Sequence, residues 1–222
     1  MEIKPIAYIY TDFKEKFGIP RQSRRAESLK GRIVFEKEFS SPEAIRGLED
    51  FSHLWLIFEF TEAEYKEGTT TVRPPRLGGN KRVGVFASRS PFRPNSLGLS
   101  CVKIEKIENS EIIVSGVDIL DGTPIYDIKP YIPYCDAVFD AQGSFAEENK
   151  EHHLEVNFCE NLLNEIPKEK RQALIECLSD DPRPSYQEDD REYSMLFSGY
   201  DIHFKVEKDT LTVTSIEKKS NG

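Results

Sequence analysis

Residues 99–107 (LSCVKIEKI) and 111–117 (EIIVSGV) are two short runs in which β-branched and other apolar side chains recur between polar ones. Such runs are typical of β-strands. Comparable runs occur at residues 3–9, 32–39, 53–60 and 82–86. One short segment in this part of the chain has a clear helix pattern: residues 41–47 (SPEAIRG), with a serine cap and an early proline. Strands separated by Gly and Pro turns predict a mainly β protein with an antiparallel barrel, and they disfavour a Rossmann fold.

A second region follows a polar connection at residues 140–153. Residues 167–178 (PKEKRQALIECL) fit an amphipathic helix, and the prolines of residues 181–186 (DPRPSY) indicate an extended turn. Residues 194–206 and 210–216 are typical of a terminal hairpin. We therefore predict two domains: a β-barrel catalytic domain over residues 1–150 and a small α+β domain over residues 151–222.

Charge is distributed unevenly along the chain. The net charge is -9, which argues against a protein that coats nucleic acid without specificity. Residues 68–104, however, hold seven Lys and Arg residues and no Asp or Glu. A positive site on an acidic body is expected of an enzyme that binds a polyanion selectively. The chain also lacks an apolar run of about 18 residues and a signal-peptide pattern at its start, so we predict a cytoplasmic protein without a membrane anchor.

Three segments contain residues suited to ligand binding. Residues 72–99 combine Pro pairs with several arginines, so their loops can hold guanidinium groups in fixed positions for phosphate or carboxylate. The turn at residues 121–124 (DGTP) offers an acid and exposed amides, which suit ribose or an adenine edge, but such turns are common and the motif taken alone favours a structural turn. Arg21 and Gln22 stand side by side after the first strand and could bind a carboxylate and a nucleobase.

Several classes of site lack a motif in this sequence. No dinucleotide-binding, P-loop or hydrolase signature occurs. The four cysteines form neither a CxxC pair nor a disulfide framework, and we expect reduced thiols. The histidines do not have metal-ligand spacing, so the sequence predicts no metal site.

Several long strings of residues occur in a characteristic order along the chain. They are residues 16–22 (KFGIPRQ), 41–48 (SPEAIRGL), 51–58 (FSHLWLIF), 72–99, 121–133 (DGTPIYDIKPYIP) and 181–186 (DPRPSY). Together they resemble the TsaA/TrmO family of S-adenosylmethionine (SAM)-dependent tRNA methyltransferases. The resemblance implies a homodimer that methylates N6 of threonylcarbamoyl-adenosine next to the anticodon of tRNA.

The resemblance also assigns roles to individual residues. By this resemblance, the residues expected to bind the cofactor are Pro20, Arg21, Gln22, Thr61, Glu62, Arg89, Leu99, Asp121, Gly122, Thr123 and Pro124. Candidates for binding tRNA, including the threonine carboxylate of the modified base, are Arg76, Arg93, Asn95 and Arg183. Thr61 and Glu62 depart from the His or Asp followed by Gln of many members, so these two would keep the donor contacts only if the backbone makes them.

Methyl transfer from SAM depends mainly on positioning the attacking nitrogen. A carboxylate, a phenol or a carbonyl could accept the N6 proton, and Asp127, Tyr131 and Tyr186 are candidates that the sequence does not rank. Two alternatives remain compatible with the same segments. One is a SAM- or tRNA-binding module without catalysis, and the other is a small-molecule methyltransferase on the same barrel.

Overall fold

A computed structural model describes residues 2–74, 81–148, 152–184 and 191–219 of the protein. Its N-terminal part consists mainly of strands. Their bounds are β1 Ala7–Tyr10, β2 Lys30–Phe35, β3 His53–Glu59, β4 Thr71–Val72, β5 Val83–Gly84, β6 Leu97–Glu108, β7 Glu111–Ser115 and β8 Thr123–Pro130. Six of these strands close into an antiparallel barrel in the order β1-β2-β7-β6-β3-β8, and β4 pairs with β5. The predicted mainly β, non-Rossmann barrel is confirmed.

Strand β3 illustrates why these sequences form a barrel. Its residues Leu54, Leu56 and Phe58 are buried, and the residues between them are half-buried. Because successive side chains of a strand point to opposite faces, one face of β3 lines the core. The barrel closes where β1 pairs with β8, with Ala7 opposite Ile125. Closure gives each of the six strands a partner on both sides, which removes free sheet edges.

The structure differs from the prediction at three places in this part. Strand β8 is missing from the predicted strands, since Pro124 and Pro130 disfavour a strand assignment. The predicted strand over residues 82–86 is limited to β5, followed by a 3-10 turn at Val85–Ala87. The helix predicted at residues 41–47 is a 3-10 helix over Pro42–Ile45, in which the Ser41 hydroxyl accepts the N–H of Glu43 at 3.3 Å.

Helices and a second sheet follow the barrel. The helices are α1 Pro133–Asp136, α2 Phe145–Glu148, α3 Glu160–Leu163 and α4 Lys168–Ser179, and the strands are β9 Glu155–Asn157, β10 Glu192–Phe197, β11 Tyr200–Glu207 and β12 Thr210–Lys218. The sheet order is β10-β11-β12-β9, with β9 parallel to β12. The predicted long strand of the terminal hairpin is wrong, because Ser198 and Gly199 form a turn with φ of 51° and 82° that divides it into β10 and β11.

The two parts share a continuous apolar core around the loop that follows β1. The ring of Phe13 packs edge-on against Phe197 of β10, with 5.4 Å between centroids. Gly18, at φ of 92°, lies against Met195 of the same strand, so a side chain there would collide with the sulfur. This packing fixes the loop that carries residues 20–22. The domain boundary predicted at residue 150 lies outside the described residues and stays a prediction.

No helix in the described part of the chain is both long enough and apolar enough to cross a lipid bilayer.

Candidate functional site

An open cavity of about 800 Å³ lies against the barrel in the described part of the chain. It is lined by the loop after β1, by the end of β3 with the residues that follow, and by the segment leading into β6. Predicted site residues that line it are Pro20, Arg21, Gln22, Thr61, Glu62, Arg89, Arg93, Asn95, Leu99 and Thr123. The fold therefore gathers segments that are far apart in the sequence into one site.

The three arginines of the cavity have different surroundings. Arg89 is exposed, and its Nη1 donates to the Oε1 of Gln22 at 2.6 Å. The guanidinium of Arg93 donates to the carbonyl oxygens of Ser88 at 3.1 Å and Ser90 at 3.4 Å, which stiffens its own loop. Arg21 donates to the carbonyl oxygen of Arg183 at 2.5 Å. Arg89 thus presents the more accessible guanidinium to a ligand, whereas Arg93 and Arg21 also support the walls.

Thr61 and Glu62 are exposed at the cavity rim. The carboxylate of Glu62 lies 3.3 Å from the ammonium group of Lys16, which also donates to the backbone oxygen of Glu62. Lys16 belongs to the loop after β1. This ion pair therefore ties the end of β3 to the loop that carries Gln22.

A glycine and an aromatic ring shape one wall of the cavity. Gly98 of β6 pairs with Phe58 of β3, and the Phe58 ring lies flat against the glycine. A Cβ atom at position 98 would be 2.3 Å from the ring. Leu99, the next residue, is 57% exposed. The wall therefore offers apolar surface, of the kind that binds a planar ring.

A carboxylate that is not among the predicted site residues also lines the cavity. Asp118 accepts a hydrogen bond from the hydroxyl of Ser100 at 2.6 Å, and Ser100 is buried in β6. Burial raises the pKa of Asp118 to about 6, against the opposing effects of Ser100, the backbone amide of Ser23 and the positive charge of Arg89. In the sequence, Asp118 stands between the apolar residues Val117 and Ile119, both of which are buried in the structure. An acid in such a position is the pattern that could have indicated it.

The DGTP turn has a structural role beside the cavity. Asp121 accepts the backbone N–H of Thr11 at 2.8 Å and forms an ion pair with Lys14. The N–H of Gly122, at φ of 74°, donates to the carbonyl of Ile9 at 2.8 Å. Thr123 lines the cavity floor, whereas Pro124 is buried in β8 opposite β1. The turn thus fixes the junction of β1 with β8, next to the cavity.

The predicted catalytic candidates lie away from the cavity lining where the structure describes them. Asp127 forms an ion pair with Lys129 at 2.8 Å. The ring of Tyr131 packs against Trp55, with 5.7 Å between centroids, and Trp55 itself lines the cavity. Tyr186 lies outside the described residues, as does Arg76 among the predicted tRNA contacts.

Arg183 lies at the junction of the two parts of the chain. Its Nε donates to Asp181 at 2.9 Å, while its carbonyl oxygen accepts from Arg21. Nearby, Arg25 forms an ion pair with the buried Asp180 at 2.6 Å. The start of the DPRPSY segment is therefore attached to the loop that carries residues 20–22.

A second overlooked carboxylate is Glu59, which lines the cavity at the end of β3. It accepts a hydrogen bond from the Tyr126 hydroxyl, and this bond raises the pKa of Tyr126 to about 12. The pair joins β3 to β8 across 67 residues of sequence. No local pattern indicates such a contact.

Among the described residues, no group of three or more His, Cys, Asp or Glu side chains could hold a metal ion. The thiols of Cys101, Cys135, Cys159 and Cys177 are free.

Comparison with known proteins identifies the family. A family model described as the tRNA-methyltransferase O N-terminal domain matches residues 8–137, and the TrmO C-terminal domain model matches residues 151–219. The chain belongs to the TrmO family. The N-terminal TrmO match includes every residue that lines the cavity.

Relatives of known name cover nearly the whole chain. A putative S-adenosylmethionine-dependent methyltransferase RcsF of Pseudomonas aeruginosa is 42% identical over 91% of both chains. The tRNA (adenine(37)-N6)-methyltransferase of Escherichia coli K12 is 36% identical over 98% of both chains. A crystal structure of TrmO from Pseudomonas aeruginosa superposes with a TM-score of 0.79, at 34% identity, over 98% of both chains. The two chains therefore share the TrmO fold over nearly their whole length.

Proposed function

We propose that this chain transfers a methyl group from SAM to N6 of the adenine at position 37 of tRNA, the activity named for its Escherichia coli relative. The finer part of the proposal is that the adenine carries a threonylcarbamoyl group. The observation that supports the proposal most directly is the cavity, where Gln22, Arg89 and Leu99 meet. These are residues that the family resemblance assigns to SAM.

The chemistry of the cavity fits SAM. Its volume of about 800 Å³ lies in the range of small-molecule sites, roughly 300 to 1,000 Å³. The exposed Leu99 and Phe92 offer apolar contact for an adenine ring, and Arg89 offers a guanidinium for a carboxylate. The ionised Asp118 favours a cation. When bound, SAM supplies an electrophilic methyl group on a positively charged sulfur.

The basic loop before β6 suits the RNA side of the reaction. Arg93 and Asn95 line the cavity rim beside Arg89, in a segment without acidic residues. An arginine here can pair with a phosphate or with the threonine carboxylate of the modified base. The same role stays a prediction for Arg76, which lies outside the described residues, and for Arg183, whose guanidinium pairs with Asp181.

Proton removal from N6 needs an acceptor near the rim. Glu59 lies there, held by the Tyr126 hydroxyl, and it joins Asp127, Tyr131 and Tyr186 as a candidate. Separate substitution of these four residues, with kcat measured at saturating SAM, would rank them.

The proposal includes a homodimer that acts in the cytoplasm. The dimer is supported by an apolar surface at and after α1, where Tyr134, Val138 and Phe139 are 87%, 64% and 99% exposed. Large apolar side chains with such exposure are typical of protein–protein contacts. Trp55 joins this surface to the cavity, because its Nε1 donates to Asp136 at 3.1 Å.

The decisive test uses the full chain, SAM and two preparations of one tRNA, with and without the threonylcarbamoyl group. We expect the mass of one methyl group to be added to the modified adenosine, measured by mass spectrometry of the digested nucleosides. Binding of SAM without product would indicate a non-catalytic module. Turnover only with small acceptors would indicate a different methyltransferase.

The matched variants are Arg89→Ala and Arg32→Ala. Arg89 lines the cavity, whereas Arg32 is a barrel arginine that pairs with Glu111 and does not line it. Loss of a charge-assisted hydrogen bond should lower kcat/KM on the order of 10- to 100-fold for Arg89→Ala. We expect Arg32→Ala to retain full activity.

A further inference from the structure

We propose that Asp118 is a positioning residue of the donor site, whose ionised carboxylate holds residues 20–23 against β6 and keeps Arg89 directed at the cavity. This assignment rests on the proposed function and adds a residue to it. Asp118 acts through its neighbours, and it needs no contact with the methyl group.

Three segments of the chain meet at this carboxylate. Ser100 of β6 donates its hydroxyl to Asp118 at 2.6 Å. The backbone amide of Ser23, the residue after Gln22, stabilises the ionised form. Two residues before Asp118, the carbonyl of Gly116 accepts the N–H of Arg24 at 2.9 Å. The loop of residues 20–24 is therefore anchored at two adjacent points of the segment that follows β7.

Arg89 extends this network to the ligand side of the cavity. Its charge acts on Asp118, and its Nη1 donates to the Gln22 side chain at 2.6 Å. An ionised Asp118 thus attracts both the loop amide and the guanidinium. A neutral carboxyl group at position 118 would weaken both attractions and leave Gln22 and Arg89 less fixed.

The ionisation of Asp118 takes place in the range of ordinary assays, because burial raises its pKa to about 6. Ser100, the backbone amides of Ser23 and of Asp118 itself, and the charged Arg89 all favour its ionisation. Donor affinity should therefore be lost as the pH falls through about 6.

The test measures SAM binding by calorimetry, together with kcat and KM for SAM, between about pH 5 and pH 8, the range around the Asp118 pKa. Asp118→Asn should weaken SAM binding roughly 10-fold above the pKa and remove the step in affinity near it. Ser100→Ala should keep the step but move its midpoint to higher pH, because Ser100 lowers the pKa of Asp118. If Asp118 served only the fold, Ser100→Ala would not move the midpoint at which SAM affinity changes with pH.

The matched control is Glu105→Gln. Glu105 accepts the Ser115 hydroxyl at 2.7 Å, so it forms the same kind of carboxylate–hydroxyl pair within the barrel but does not line the cavity. Its substitution should leave SAM affinity and the pH profile unchanged.

The outcomes separate this assignment from the proposed function. If the wild-type chain neither binds SAM nor methylates tRNA, the proposed function fails and this assignment fails with it. If the wild type is active but Asp118→Asn matches it across the pH range, only the role of Asp118 is refuted. Should Asp118→Asn not fold, an unmoved midpoint in Ser100→Ala overturns the assignment.

Discussion

Substitution of Gly98 by alanine tests whether close packing against Phe58 stabilises the barrel and shapes the cavity wall. A Cβ atom at position 98 would lie 2.3, 2.5 and 2.7 Å from three carbon atoms of the Phe58 ring. Ordinary carbon contacts are about 3.5 to 4 Å, so the ring must move by more than about 1 Å. The ring of Phe60, 5.1 Å away between centroids, packs against it and limits that movement.

Overpacking of this kind costs about 1 to 3 kcal/mol. We expect Gly98→Ala to lower the free energy of unfolding by about 2 kcal/mol, which corresponds to a fall in Tm of roughly 4 to 8 °C for a chain of this size. Urea unfolding, followed by the fluorescence of Trp55, the single tryptophan, measures this directly. SAM affinity should fall as well, because Gly98 and Phe58 both line the cavity.

Two further variants make the experiment specific. Gly84→Ala is the matched control, because no heavy atom of the described chain lies within 4 Å of its added Cβ and its φ of -58° suits any residue. Its stability should stay within about 0.5 kcal/mol of the wild type. Phe58→Leu, a smaller side chain, should reduce the cost of Gly98→Ala in a double-mutant cycle. A Gly98→Ala protein as stable as the wild type, or additive costs in the double variant, would refute the packing explanation.

Three other predictions concern pH, the junction and assembly. The pKa of Asp118 rises from 3.8 to about 6 on folding, so the native state binds more protons between these pH values. The free energy of unfolding, measured by urea titration, should therefore fall by at most roughly 3 kcal/mol as the pH rises through this range. Asp118→Asn should remove this fall. Arg25→Ala removes the guanidinium beside the buried carboxylate of Asp180 and should cost about 3 kcal/mol, whereas Lys4→Ala, at an exposed ion pair, should cost less than about 1 kcal/mol in the same assay. Phe139→Asp should give a monomer in light scattering if the apolar surface after α1 joins two copies, and an unchanged mass would contradict that assignment.

Much of the barrel could be predicted because its strands show alternation that depends on local sequence. The apolar runs at residues 99–107 and 111–117 are examples, since β6 and β7 form there. Likewise, α4 buries the predicted face, with Ala173, Leu174, Cys177 and Leu178. The proline-containing β8 was missed, because its strand pairing comes from neighbours on both sides and not from its own residues. The turn at Ser198 and Gly199 was missed as well, since the apolar pattern continues on either side of it.

The alternating strands and the motif residues, such as Gln22 and Arg89, can be read from local sequence, and the fold then brings these residues to one cavity. Only the tertiary structure showed that Asp118 meets Ser100, and that Glu59 meets Tyr126. Strand propensity depends on near neighbours along the chain, whereas the burial of a carboxylate and the partner it finds depend on which strands the closed barrel brings side by side.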